Sequence, residues 1–101
     1  MMRADYDSEG DTIQVELEPV SKLERSDVIG GGAVIVGLYE DRAVMVDVIG
    51  TRHQFEDPLR VAAERYDLDA EALIAAAKAA LAAPDRPVTL GVGARLAATP
   101  R

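Results

Sequence analysis

Cysteine is absent from the 101-residue chain, which excludes disulfide frameworks, thiolate zinc sites and cysteine nucleophiles. Histidine occurs once, at His53. Long apolar runs are missing as well. The longest stretch without a charge, Val28 to Tyr39, is 12 residues, short of the ~20 that a membrane-spanning helix needs. Arg3, Asp5, Asp7 and Glu9 stand where a signal peptide would carry its apolar segment, so the cytoplasm is the expected compartment and no membrane partner is expected. Positive charge is scarce: 11 Lys and Arg against 18 Asp and Glu give a net charge of −7. An acidic surface repels phosphates and disfavours nucleic acid. It serves solubility, and it also suits a basic partner protein. The acidity is uneven, with residues 1–27 at −5, 28–57 at −3 and 58–101 at +1.

What is present describes a folded domain. Apolar residues make up 49%, which argues against disorder, and the length suits a single domain over residues 1–101. Thr12-Ile13-Gln14-Val15-Glu16-Leu17-Glu18 alternates with a period of two, the mark of a half-buried strand, and Pro19 ends it. Residues 20–29 read as a charged connection. Gly30-Gly31-Gly32 then opens a second strand, Ala33 to Tyr39. Glu40-Asp41-Arg42 is a polar turn, and a third strand runs from Ala43 to Ile49. These two strands are apolar on both faces. Ala33, Ile35, Gly37 and Tyr39 share one face with Ala43, Met45, Asp47 and Ile49. Val34, Val36 and Leu38 share the other with Val44, Val46 and Val48. Helices can cover only one face of such a sheet, so the other calls for a second layer. A second copy of the chain is the expected source, with Val34, Val36, Leu38, Val44, Val46 and Val48 as the expected interface.

The second half is helical. Asp57 is the expected N-cap, with Pro58 at the first helical position, and Leu59, Ala62, Ala63 and Tyr66 recur at spacings of three and four. Asp69 caps a second helix, Ala70 to about Ala83, with Leu73, Ile74, Ala77 and Leu81 as its apolar stripe. Residues 57–83 thus form a helical hairpin. Residues 87–92 carry the alternation of a fourth strand, and 93–101 read as a loose tail. The predicted fold is α+β: an antiparallel meander of three to four strands with two helices packed on one face.

Tyr6-Asp7-Ser8-Glu9-Gly10-Asp11, followed by Ile13, Val15 and Leu17, resembles the opening of a small prokaryotic family, domain of unknown function twenty-two eighty-three. Its members begin Tyr-Asp-x-Glu-x-Asp-x-Leu-Tyr-Ile and continue with a Gly-Val-Val stretch, an acidic turn and a Val-Gly-Ile-Glu-Ile strand. Gly32-Ala33-Val34-Ile35, Glu40-Asp41-Arg42 and Val44-Met45-Val46-Asp47-Val48-Ile49 follow in the same order. The resemblance covers residues 5–52 and implies a β-meander module without established chemistry. Some members sit beside proposed toxins, which implies an antitoxin-like role. Two departures are Gly37-Leu38 in place of a polar stretch and the two-helix extension.

Several motifs bear on chemistry. Asp5, Asp7, Glu9, Gly10 and Glu16 occupy positions one, three, five, six and twelve of a calcium-binding EF-hand loop. No entering helix precedes them, Thr12 stands where an apolar residue belongs, and a strand follows. The competing reading is an acidic turn in which Asp7 or Asp11 accepts backbone N–H groups. The helical hairpin has the spacing of a helix-turn-helix, but its second helix offers Asp69, Glu71 and a single base, Lys78, and no Arg, Asn or Gln to read bases. His53 lies beside no patterned serine nucleophile, since Ser8, Ser21 and Ser26 fall in apparent loops. The triglycine leads into a strand rather than a helix, so it is not a phosphate cradle. Asp47, the sole charge in its strand, should pair with Arg52 or Arg60 or face water. No cofactor or resident metal is expected. The sequence points to a non-catalytic protein–protein interaction module. The alternative is a small-ligand or metal-binding domain using the acidic N-terminal turn.

Overall fold

The structure, a computed structural model, describes residues 2–19, 22–51 and 54–90. The elements are β1 (Met2–Asp7), β2 (Thr12–Glu16), β3 (Arg25–Ile29), β4 (Val34–Tyr39), β5 (Arg42–Ile49), α1 (Glu56–Tyr66), α2 (Ala70–Ala82) and β6 (Val88–Leu90). All strands join one antiparallel sheet in the order β3-β4-β5-β2-β1-β6. The α+β class is as expected, but the sheet has six strands rather than three or four, and the expected meander order is not kept. β5, not β4, sits between the other two expected strands. The outer side of β4 is occupied by β3, which lies inside the supposed connection at 20–29. β2 therefore returns through a long connection, as in a Greek key.

β3 escapes a sequence reading because Arg25 and Asp27 face the helix layer without being apolar. Arg25 pairs with Asp41 at 2.6 Å. Asp27 accepts from the Tyr66 hydroxyl at 2.6 Å and from Arg65 at 2.9 Å. Those two donors, the tyrosine first, hold its carboxyl below the ordinary range. β1 hides in the acidic N-terminus, where Met2, Ala4 and Tyr6 alternate with Arg3, Asp5 and Asp7.

The turns follow from backbone chemistry. Glu40 and Asp41 both have positive φ, 53° and 63°, the signature of a tight type I′ hairpin turn. Arg42 therefore begins β5 instead of ending the turn, and it reaches back to Glu18 at 2.8 Å. Asp7 Oδ1 accepts from the backbone N–H of Glu9 and Gly10, the expected Asx-type turn. Gly30 has a φ of 65°, and a Cβ there would lie 3.0 Å from Pro58 Cβ. Glycine is needed at that point both for the left-handed backbone and for the close approach of α1.

The second helix matches expectation closely: Asp69 Oδ1 accepts from Ala72 N at 3.1 Å. The first begins earlier than expected. Phe55 is its N-cap without a side-chain bond, and Gln54 Oε1 accepts from Glu56 N at 2.8 Å, so Asp57 is not the cap. Pro58 becomes the third helical residue, where a missing N–H costs nothing because no intrahelical acceptor exists for it. Of the expected fourth strand, Val88–Leu90 is observed against β1; Gly91, Val92 and the 93–101 tail lie outside the described residues.

Both helices pack on one face. Leu59, Ala62, Leu73, Ile74, Ala77 and Ala80 meet Ala4, Ile13, Val15, Val36, Leu38 and Val46 in one core. The alanines of α2 let its axis come close to the sheet. The six residues expected to form an interface, Val34, Val36, Leu38, Val44, Val46 and Val48, are all at most 1% exposed. Five of them line the chain's own core, Val44 is buried at the register shift between β4 and β5, and none is a surface that a second copy can touch in this structure. The physical reason lies on the opposite face. Asp47 and Gln14 project there, and placing them under the helices would strand polar groups in the core.

Candidate functional site

The face away from the helices is built row by row from the strand register. One row runs Val28, Ile35, Asp47, Gln14, Asp5 across five strands. The next runs Ser26, Gly37, Met45, Glu16, Arg3 and Thr89. The face therefore divides in two. Over β3, β4 and β5 it carries Val28, Ile35, Met45 and Ile49; over β2 and β1 it carries Gln14, Glu16, Arg3 and Asp5. Val28 is 60% exposed and Ile49 42%. Leu23 lies across Gly37, where a Cβ would stand 2.7 Å from its Cδ1, so the glycine leaves room for this side chain against the strand.

Asp47 sits where the two halves meet. Its Oδ1 is buried with no hydrogen-bond partner. Burial pushes its carboxyl above the ordinary range, a hydrogen bond to Gln14 opposes that push, and the negative charge of Asp5 adds to it. Of the two bases expected to pair with it, Arg60 bonds Glu71 at 2.7 Å instead; Arg52 lies outside the described residues. The folded state thus holds this proton more tightly than the unfolded chain. The contribution to stability is present below the ordinary aspartate range and is lost as pH rises through the raised value. At neutral pH the carboxylate is a net cost. Asp47→Asn is expected to stabilise the free protein at pH 7 by about 1 kcal/mol, kept this small because the side chain is partly solvated. That is a rise of ~4–8 °C in Tm for a domain of this size. The gain should vanish below about pH 4. Thermal unfolding followed from pH 3 to pH 8 checks this, and an equal gain at both ends would contradict it.

The acidic N-terminus is not gathered into one cage. Asp5 and Glu16 come together on the bare face around a cavity of about 200 Å³, with Gln14 and the positive Arg3 in its wall. Asp7 turns away to its backbone N–H partners, and Glu9 is exposed on the turn. Among the described residues, no group of three or more His, Asp or Glu side chains is placed to hold a metal. The turn is instead tied to the far end of the chain, since Asp85 accepts from the N–H and the hydroxyl of Ser8.

At the triglycine end, an open groove of about 760 Å³ runs between Val28, Ile49, Pro58 and Val61, with Arg65 on its rim. It is continuous with the bare face through Val28 and Ile49. Asp57 also lines it, which makes it a poor phosphate cradle. The helical hairpin spends Leu73, Ile74, Ala76, Ala77 and Ala80 of α2 on the core, so the helix-turn-helix spacing serves packing. His53 and Ser21 lie outside the described residues.

The residues a sequence reading missed are those of the bare face: Val28, Ile35, Met45 and Ile49, with Gln14 beside them; Asp5 was expected only in a calcium loop. The usable signal was Asp47 itself, because a charge within an apolar strand marks the face that helices leave open. Comparison with known proteins finds no match to a family model, a curated protein or a solved structure. None of the described helices is long and apolar enough to cross a membrane.

Proposed function

We propose that the protein is a non-catalytic protein–protein interaction module whose docking surface is the bare face of the sheet, occupied by another protein chain. The observation that carries this reading is the one-sided layering. Both helices lie on one side, while the other side, which among the described residues no helix covers and only Leu23 crosses, presents Val28, Ile35, Met45 and Ile49 next to carboxylates. Apolar patches rimmed by polar groups are where partners dock. The reading asks of this face only area, shape and charge. The resemblance of residues 5–52 to a family found beside proposed toxins supports the antitoxin-like form of it, in which the module covers a partner's surface. Residues 5–52 contain β2, β3, β4 and β5 whole and half of β1.

The test is co-purification from the native host with matched variants. Ile35→Lys combined with Met45→Lys is expected to leave folding intact and to remove a partner that wild type retains in stoichiometric amount. Glu64→Lys, on the exposed side of α1, is expected to retain it. Equal retention by wild type and the face variant would overturn the reading.

A further inference from the structure

We infer that the partner on the bare face is a basic protein, one that brings arginine or lysine side chains set among apolar ones, and that a second copy of this chain does not fill that place. The inference rests on the docking face proposed above and adds the chemistry of its occupant.

The first argument is geometric. Two copies stacked face to face are related by a two-fold axis lying between the sheets. With the axis across the strands, each strand faces its own copy: along the Asp47 row, Asp5 and Asp47 oppose themselves, and between the rows Asp5 meets Arg3 while Asp47 meets only Met45 and Glu16 only Gln14. With the axis along the strands, the β1 side of one copy lies over the β3 side of the other. Asp5 is then pressed onto Val28, Glu16 onto Gly37, and Asp47 onto its own copy. Each arrangement opposes like charges or buries carboxylates without a base, which is costly. Shifting the copies until only the apolar halves touch leaves too little contact. Three strands about 4.8 Å apart and five residues long cover roughly 250 Å² in projection, against the ~800 Å² per partner of a stable interface.

The second argument is charge. The chain carries −7 overall. The central rows of the bare face place three carboxylates, Asp5, Glu16 and Asp47, against one base, Arg3. A basic surface complements this and is steered toward it.

The third is the unpaired acceptor. Asp47 Oδ1 is buried without a donor, between apolar neighbours on one side and Asp5 and Gln14 on the other. A guanidinium laid over the face brings a positive charge beside the Asp47 carboxyl and reaches Asp5, while its neighbours cover Ile35 and Met45. Asp47 then has a role that its cost to the free protein otherwise leaves unexplained.

The test uses the full chain. Sedimentation velocity at high micromolar concentration and low salt is expected to show a monomer. The ¹⁵N-labelled protein is then titrated with the peptide Arg-Ser-Leu-Ser-Arg-Ser-Leu, which places arginine and leucine on one side of an extended strand, and with its Glu-for-Arg counterpart. Amide shifts on β5, β2 and β4 are expected with the arginine peptide alone. The Asp5→Asn, Asp47→Asn double variant should bind at least tenfold more weakly, and Asp47→Asn alone should bind more weakly while melting higher at neutral pH, which separates lost binding from lost folding. A dimer that Ile35→Lys with Met45→Lys dissolves would overturn the inference yet leave the docking face standing. Equal binding of both peptides, or shifts confined to α1 and α2, would also overturn it.

Discussion

Leu38→Ala is expected to destabilise the protein by about 2–5 kcal/mol, the largest effect of any single truncation considered. Leu38 is 1% exposed and points from β4 into the layer filled by Leu59 and Leu73. Removing its branched end forfeits the burial of those carbons and leaves a cavity that the surrounding strands cannot close, because a pleated ladder fixes their spacing. A domain this small has about 5–15 kcal/mol of stability in total, so a Tm loss of about 10 °C or more should follow. Met45→Ala, one strand over on the bare face, is expected to cost less than about 1 kcal/mol. Urea unfolding of both variants measures the difference, with the slope unchanged if both remain two-state. Had Leu38 been a docking residue, its truncation would spare folding and weaken association instead; the pair of variants tells these apart.

Asp11→Ala is expected to cost about 2–3 kcal/mol. Its carboxylate accepts from the Tyr6 hydroxyl at 2.9 Å, the Thr51 hydroxyl at 2.6 Å and the Thr51 N–H at 3.2 Å. Its backbone carbonyl accepts from Gly50 N at 2.9 Å. One side chain therefore latches the β1–β2 turn to the end of β5. Its φ of 52° adds a second penalty for alanine, since left-handed backbone costs most residues about 1–2 kcal/mol and aspartate or asparagine less. Asp11→Asn keeps an acceptor and the backbone tolerance, and should lose about half as much. Thermal unfolding at pH 7 reads both variants. A loss below about 0.5 kcal/mol for the alanine would show that water replaces the latch at little cost.

How far a sequence discloses this molecule depends on which physical effect dominates locally. Asp69 and the alanine-rich run after it mark α2 to within a residue, because capping and helix propensity are local. The β4–β5 hairpin is legible for the same reason. The start of α1 is not: Gln54 supplies the acceptor for Glu56 N, and a cap from that position carries no common signature. β3 was hidden because its inward positions, Arg25 and Asp27, are satisfied by residues 16 and 38–39 positions away, which no local pattern reports. β1 was obscured by the EF-hand spacing of its carboxylates. At the candidate site the two strand faces were separable by alternation alone. Choosing which face the helices take required weighing Asp47 against six aliphatic side chains, and desolvation of that one carboxylate outweighs the small gain in apolar area on its side.

The pairing of Met2 with Leu90 and of Ala4 with Val88 has a consequence for how the chain reaches this state. The flank of β1 is closed only by residues from the far end of the sequence, so that rung must wait for the slowest loop to close. Until it does, a nascent or partly opened molecule shows a neighbour the raw flank of its first strand. Trading of β6 between molecules is the characteristic misassembly this topology invites.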